Sequence, residues 1–321
     1  MGNLPISAPK DGQIAHPTIP KPGPHNPGLT NWLRVIALSI IWGASFMNVK
    51  LALAGFGPFT VAALRICIAA VALLFVARAM GLKLPTSRRI WAHAVGFGFF
   101  SNVLPFSLLG FGQTYVASGF AGITMAAVPL FTMILAQKLI PGERMTLPRL
   151  IGLGLGIAGV VTLIGPRALA STGADLENLA RLACVGSTLS YAVGAIITRR
   201  CPPVPLAGFS AAGLLAAAVM IVPLTLGIEG VPELTGNLKP LLSVLYLGLF
   251  PTALATLLLV QVINSAGPTF LTQANYQVPV WSVIFGTVIL HERLPAQFLA
   301  ALGLILAGLL ISNAPVWKRR P

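Results

Sequence analysis

The chain has 321 residues, 56% of them hydrophobic and only 9% charged, with a mean hydropathy of +0.86. A soluble domain carries about 25% charged residues, so a water-soluble globular fold is excluded, and most soluble enzyme classes with it. The net charge of +14 invites a nucleic-acid partner, but the basic residues flank apolar runs, where anionic lipid accounts for them.

In chain order, residues 1–31 are rich in Pro, Gly and polar residues and hold no apolar run fit for a signal peptide. They are expected to form a disordered tail, in which His16 and His25 are too isolated to bind metal. Ten apolar runs follow, each near the length of about 20 residues that crosses a bilayer as a helix. The first five lie near 33–53, 58–77, 92–113, 118–138 and 148–165, and the second five near 179–198, 206–227, 241–262, 268–290 and 296–313. Residues 315–321 form a basic tail. Cys67 and Cys184 fall inside spans and Cys201 in a loop, which is no disulfide framework.

The two sets of five are versions of each other at an offset of 149 residues. V-P-L-F-T from Val128, then Glu143-Arg144, then an apolar stretch ending at Gly159 has a counterpart in V-P-V-W-S from Val278, Glu292-Arg293 and a stretch ending at Gly308. Leu150/Leu299, Leu153/Leu302, Gly154/Gly303 and Ala158/Ala307 keep that offset, and so do Trp42/Tyr191 and Lys50/Arg199. An odd number of spans per copy inverts the second copy, so the expected architecture is an all-α polytopic membrane protein of two inverted five-helix repeats, 32–166 and 177–314. With a cytoplasmic N-terminus, only Lys50, Arg167, Arg181, Lys239 and Arg293 of the 21 basic residues fall outside, and Arg65 lies within a span. The positive-inside rule then puts both termini in the cytoplasm.

W-G-A-S-F-M-N-V-K from Trp42 and P-F-T-V-A-A-L-R from Pro58 resemble the first two helices of an EamA-type domain. A-A-V-P-L-F-T from Ala126, G-E-R from Gly142 and G-L-G-I-A-G-V-V from Gly154 resemble its last two. Over 32–313 the chain resembles the ten-helix EamA branch of the drug/metabolite transporter superfamily. The resemblance implies a central cavity between two inverted halves and, often, efflux of amino acids or related metabolites.

A polar group at mid-depth that faces lipid loses its hydrogen-bond partners, so such groups face the bundle interior or a wet path. The candidates for solute binding on this argument are Trp42, Ser45 and Asn48 in the first span, Asn102 in the third and Tyr191, beside Ser190, in the sixth. The eighth span adds Thr252 and Thr256, and the ninth adds Gln273, Asn275, Tyr276, Gln277 and Trp281. Interhelical hydrogen bonding is the competing role for each, while the ninth-span cluster favours a site because Gln273, Tyr276 and Gln277 share a helix face. Pro105, Pro129, Pro251 and Pro279 lie well inside spans, where each removes a backbone bond and is expected to shape or hinge the cavity. Arg65 either attracts a carboxylate or phosphate, or snorkels and holds helix-end carbonyls; with no intramembrane acid to pair it, the structural role is preferred. Glu143 and Glu292 are expected to cap or brace the turns they occupy rather than bind cargo.

Gly154–Gly159 satisfies G-x-G-x-x-G but has no preceding strand, so no nucleotide site is expected. Gly152/Gly156 and Gly303/Ala307 read instead as close helix packing. His291-Glu292 lacks the second histidine of a zinc motif, and no metal, cofactor or catalytic constellation is predicted. All seven acids lie outside the spans, which argues against hydrophobic cations as cargo. The expectation is therefore a non-enzymatic inner-membrane carrier, partnered by lipid and a small neutral or zwitterionic solute, with amino-acid export the best match. The alternatives are a carrier of nucleotide-linked or phosphorylated solutes and a non-transporting membrane scaffold.

Overall fold

The computed structural model describes residues 28–79, 81, 83–140, 146–164, 176–233 and 236–312. These residues are helical, and no strand occurs among them. Inside a bilayer each backbone polar group needs an internal partner, which the helix supplies from its own carbonyls. Eight helices are long and apolar enough to cross a membrane: α1 (Gly28–Ala52), α2 (Pro58–Ala79), α3 (Arg88–Tyr115), α4 (Ser118–Leu139), α5 (Leu147–Ile164), α6 (Leu176–Arg200), α7 (Leu206–Ile228) and α8 (Leu238–Ala266). Two further helical stretches follow. α9, residues 268–289, is interrupted at Thr272, and α10 (Ala296–Ser312) has 17 residues. The ends fall within a few residues of the apolar runs, except that α1 begins at Gly28, inside the expected tail. His16, His25, Glu143, Arg144 and the basic tail lie outside the described residues.

The shortest connections are made by backbone rather than by length. Val116 and Ala117 are extended between α3 and α4. Gly267 stands at φ +85° between α8 and α9, a conformation that glycine adopts without the penalty a Cβ brings.

Four of the helices depart from α geometry. α3 contains a π turn at Phe99–Val103, just before Pro105. α8 contains one at Leu249–Leu254, around Pro251. A 3-10 turn at Met125–Ala127 precedes Pro129 in α4. Proline lacks the N–H and clashes with the carbonyl four residues back, so a widened or tightened turn is where it fits. Pro279 differs, sitting within the regular stretch Gln273–Ile284, with the π turn of α9 starting only at Phe285. Pro223, inside α7, was not singled out from sequence.

α1 crosses α9 closely. A Cβ added at Gly43 would come within 2.5 Å of Trp281 Cβ. α5 and α10 pack on each other along a glycine seam, where a Cβ on Gly308 would lie 2.5 Å from Gly152 O and 2.9 Å from Gly156 N. The expected small-residue seam is therefore real on α5, but its partner is Gly308. Gly303 faces open space, with nothing within 4 Å of a Cβ built there. The outer faces of this pair, with Leu150, Ile151, Ile157, Leu299 and Leu310, are exposed, as expected of surface that meets acyl chains.

Candidate functional site

The prolines organise the middle of the bundle. Pro251 has no N–H to give Leu247 O, the acceptor one turn back. The Thr252 hydroxyl takes over, donating to Leu247 O at 2.9 Å, and its oxygen accepts from Arg65 Nε at 2.9 Å. The Pro251 carbonyl accepts from Trp42 Nε1 at 3.1 Å. In α3 the Phe100 carbonyl, inside the other π turn, accepts from Ser190 Oγ at 2.7 Å. α1, α2 and α8 are thus joined at one bulge, and α6 at the other.

Arg65 does not snorkel. It is 7% exposed, and its guanidinium lies over the Phe106 ring, with Cζ 3.7 Å from the centroid. Phe106 meets the Tyr191 ring edge-on at 6.5 Å, and Tyr191 and Tyr246 lie within electrostatic reach of the guanidinium. Asn102 stands one turn before Phe106, 6% exposed, with Nδ2 unpartnered. Thr252 and Phe106 thus hold Arg65 directly, Phe106 adds Tyr191, and Trp42 joins through the carbonyl next to Thr252, so helices of both sequence halves meet here.

The remaining predicted residues divide. Ser45 donates to Trp42 O at 2.6 Å, Asn48 to Ala44 O at 2.9 Å and Thr256 to Thr252 O at 2.6 Å, so these bonds close on their own helices. The ninth-span cluster does not keep one face. Tyr276 packs among Leu130, Ile305 and Leu309 and donates to Leu309 O of α10 at 3.2 Å. Gln273 is exposed at the start of its helix, Asn275 and Gln277 are half-buried, and Trp281 stacks on Phe285 at 6.0 Å. The regular helix begins at Gln273, and on it Tyr276 stands about 100° round from Gln277, which lets Tyr276 reach α10 while Gln277 does not follow.

At the end of the bundle where α1 finishes, polar groups tie distant connections. Glu229 accepts from Phe59 N, Thr60 N and Thr60 Oγ1 at 3.0, 2.8 and 2.7 Å, capping α2. Glu292 accepts from Ser118 N, Ser118 Oγ and Gly119 N at 2.7, 2.9 and 3.0 Å, capping α4. A carboxylate there satisfies otherwise unpaired N–H groups and meets the positive end of the helix dipole. Glu292 therefore caps, as one of its two expected roles, but the helix it caps belongs to the other half rather than to its own turn. Lys50 Nζ donates to Gln113 O and Val116 O at 2.7 and 3.2 Å. Gln113 is fully buried, with both side-chain polar atoms unpartnered. Sequence reasoning missed Phe106, Tyr246, Gln113 and the capping role of Glu229. The only signal was a carboxylate at a span end, and its partner lies 170 residues away. Among the described residues no group of three or more His, Cys, Asp or Glu is placed to hold a metal.

The chain is similar to known proteins along nearly its whole length. It is 29% identical over 292 residues to the uncharacterized inner membrane transporter YedA of Escherichia coli (strain K12), covering 86% of this chain and 88% of that protein. It is 26% identical over 298 residues to a probable terminal-alkyne amino-acid exporter of Streptantibioticus cattleyicolor, covering 90% and 95%. The uncharacterized transporter YoaV of Bacillus subtilis is 22% identical over 290 residues, with 90% and 98% covered. A solved crystal structure has the same fold, with a TM-score of 0.64 over 88% of this chain and 96% of that one at 22% identity. The EamA-like transporter family model matches residues 32–165 and 178–314. With an all-helical bundle and a match across both stretches, the chain belongs to the EamA-like transporter family and is a membrane transporter.

Proposed function

We propose that the protein exports small neutral or zwitterionic metabolites, amino acids foremost, by alternating access through a central cavity between two inverted five-helix repeats. The observation that carries this reading is the meeting of Trp42, Arg65 and Thr252 at the π turn of α8, with Asn102 in the π turn of α3 and Phe106 between Arg65 and Tyr191. These turns, Phe99–Val103 and Leu249–Leu254, stand about one repeat offset apart, which favours a pseudo-symmetric pair of halves. The name of the S. cattleyicolor relative favours amino-acid cargo. The two prolines act as cavity-shaping points, and Pro129 and Pro279 as their counterparts in α4 and α9. α9 and α10 complete ten spans, and both termini are cytoplasmic in an inner membrane like that named for YedA.

Proteoliposomes preloaded with radiolabelled amino acids are expected to lose them faster when the protein is present; equal leakage with and without protein refutes the cargo assignment. Asn275→Ala combined with Gln277→Ala is expected to lower that flux several-fold with the folded yield unchanged. Unaltered flux removes the ninth-span amides from the path. Green fluorescent protein, which matures in the cytoplasm, should light up when fused to either terminus, and a dark fusion at one end only rules out an even number of spans.

A further inference from the structure

We infer that Arg65 is the carboxylate-binding group of the central site, taking the α-carboxylate of a monoanionic or zwitterionic solute through its terminal nitrogens. This deepens the reading above and rests on it for the cargo class. The protein gives Arg65 one neutral hydrogen-bond acceptor, Thr252 Oγ1 on Nε, and one aromatic face, Phe106. Among the described residues the one hydrogen bond of the Arg65 side chain is made by Nε, so its two terminal nitrogens are left without an acceptor in a side chain that is 7% exposed. Among the described residues the one acid within a helix is Glu177, in the first turn of α6 and paired with Arg181, so no carboxylate neutralises the guanidinium. A buried charge without a partner is costly, and an anion delivered between two donors in the guanidinium plane relieves that cost with a charge-assisted fork.

The rest of the geometry fits this use. The Nε–Thr252 bond and the Phe106 face fix the guanidinium, so its outer edge is preset and little side-chain freedom is lost on binding. Asn102 Nδ2, buried and unpartnered one turn from Phe106 on the same helix, is a second neutral donor of the kind an anion recruits. One cation matches one negative charge. A phosphate monoester would bring close to two into a site with no second mid-depth cation, which selects a carboxylate.

The test compares acids with their amides. Purified protein is screened by thermal shift against each common amino acid beside its amide, against 4-methyl-2-oxopentanoate as a carboxylate without an amine, and against glucose 6-phosphate. At least one acid is expected to raise the wild-type melting temperature while its amide does not, the keto acid to stabilise as well, and the phosphate ester to be weaker. Arg65→Gln is expected to weaken carboxylate binding about tenfold or more, the scale of a lost charge-assisted bond, while Arg65→Lys keeps part of it. The assignment is overturned if amides stabilise as well as acids, if no carboxylate stabilises the wild type, if the phosphate ester binds best, or if Arg65→Gln binds carboxylates unchanged. Should Arg65→Gln not fold, the acid–amide comparison on the wild type decides alone. Carboxylates that stabilise only through Arg65, with no amino-acid flux in vesicles, leave this assignment standing and refute the proposed cargo. Flux that carries amides as readily as acids does the reverse.

Discussion

At Thr252 one hydroxyl holds two elements in place. It donates to the carbonyl that Pro251 leaves without a donor and accepts from Arg65. Thr252→Val keeps the shape and deletes both bonds, leaving a buried acceptor and a charged donor unpaired. The expected loss is about 1–3 kcal/mol, read as a lower melting temperature, whereas Thr252→Ser should stay close to wild type. Equal behaviour of the two variants shows that the hydroxyl does not hold the bulge. Pro251, Thr252 and Trp42 were legible in the sequence because proline and polar residues at mid-depth are conspicuous in an apolar run, and the structure joins the three through hydrogen bonds. The sequence did not tell that the hydroxyl repairs the proline's own defect, because that bond depends on the turn widening to π. Nor did it separate Tyr276 from its neighbours: on the regular helix Gln273–Ile284 it stands about 100° round from Gln277, and only the placing of α10 shows that Tyr276 is the one that reaches Leu309 O.

The α5–α10 pair shows what packing asks of an element in lipid. Without a hydrophobic force between helices, close backbone approach supplies the attraction, and only small residues allow it. Gly308 meets the backbone of Gly152 and Gly156, whereas Gly303 meets nothing. Gly308→Leu must therefore push α10 away from α5 and is expected to cost about 1–3 kcal/mol. Gly303→Leu should fall within about 0.5 kcal/mol of wild type. Both can be read from melting temperatures in one detergent, and similar losses would contradict the seam. The repeat had paired Gly154 with Gly303 and Gly159 with Gly308. Both pairs share the spacing, and only the second lies on the buried stripe, so periodicity located the seam while the rotation of each helix stayed beyond it.

Across the whole molecule, the end where α1 finishes is closed by carboxylates that cross between the sequence halves. Glu229 follows α7 and caps α2; Glu292 follows α9 and caps α4. Under the alternating access proposed above, such ties break when that end opens, and each then contributes to the balance between the two states. Losing a helix cap costs about 0.5–2 kcal/mol, and a change of 1.4 kcal/mol moves a two-state population about tenfold. Glu292→Ala should thus raise the fraction of molecules open at this end. Gln113, fully buried beside Lys50 at the same end, provides the reporter. With both termini cytoplasmic as proposed, this end faces outward. With Cys67, Cys184 and Cys201 replaced by Ala and Gln113 replaced by Cys, a membrane-impermeant maleimide added to intact cells is then expected to react several-fold faster when Glu292→Ala is present. Adding Glu292→Gln in its place should give an intermediate rate, because the amide oxygen keeps one acceptor and loses the charge that the helix end attracts. An unchanged rate in the Ala variant means that Glu292 caps α4 in every state the carrier visits, and that opening at this end proceeds through other contacts.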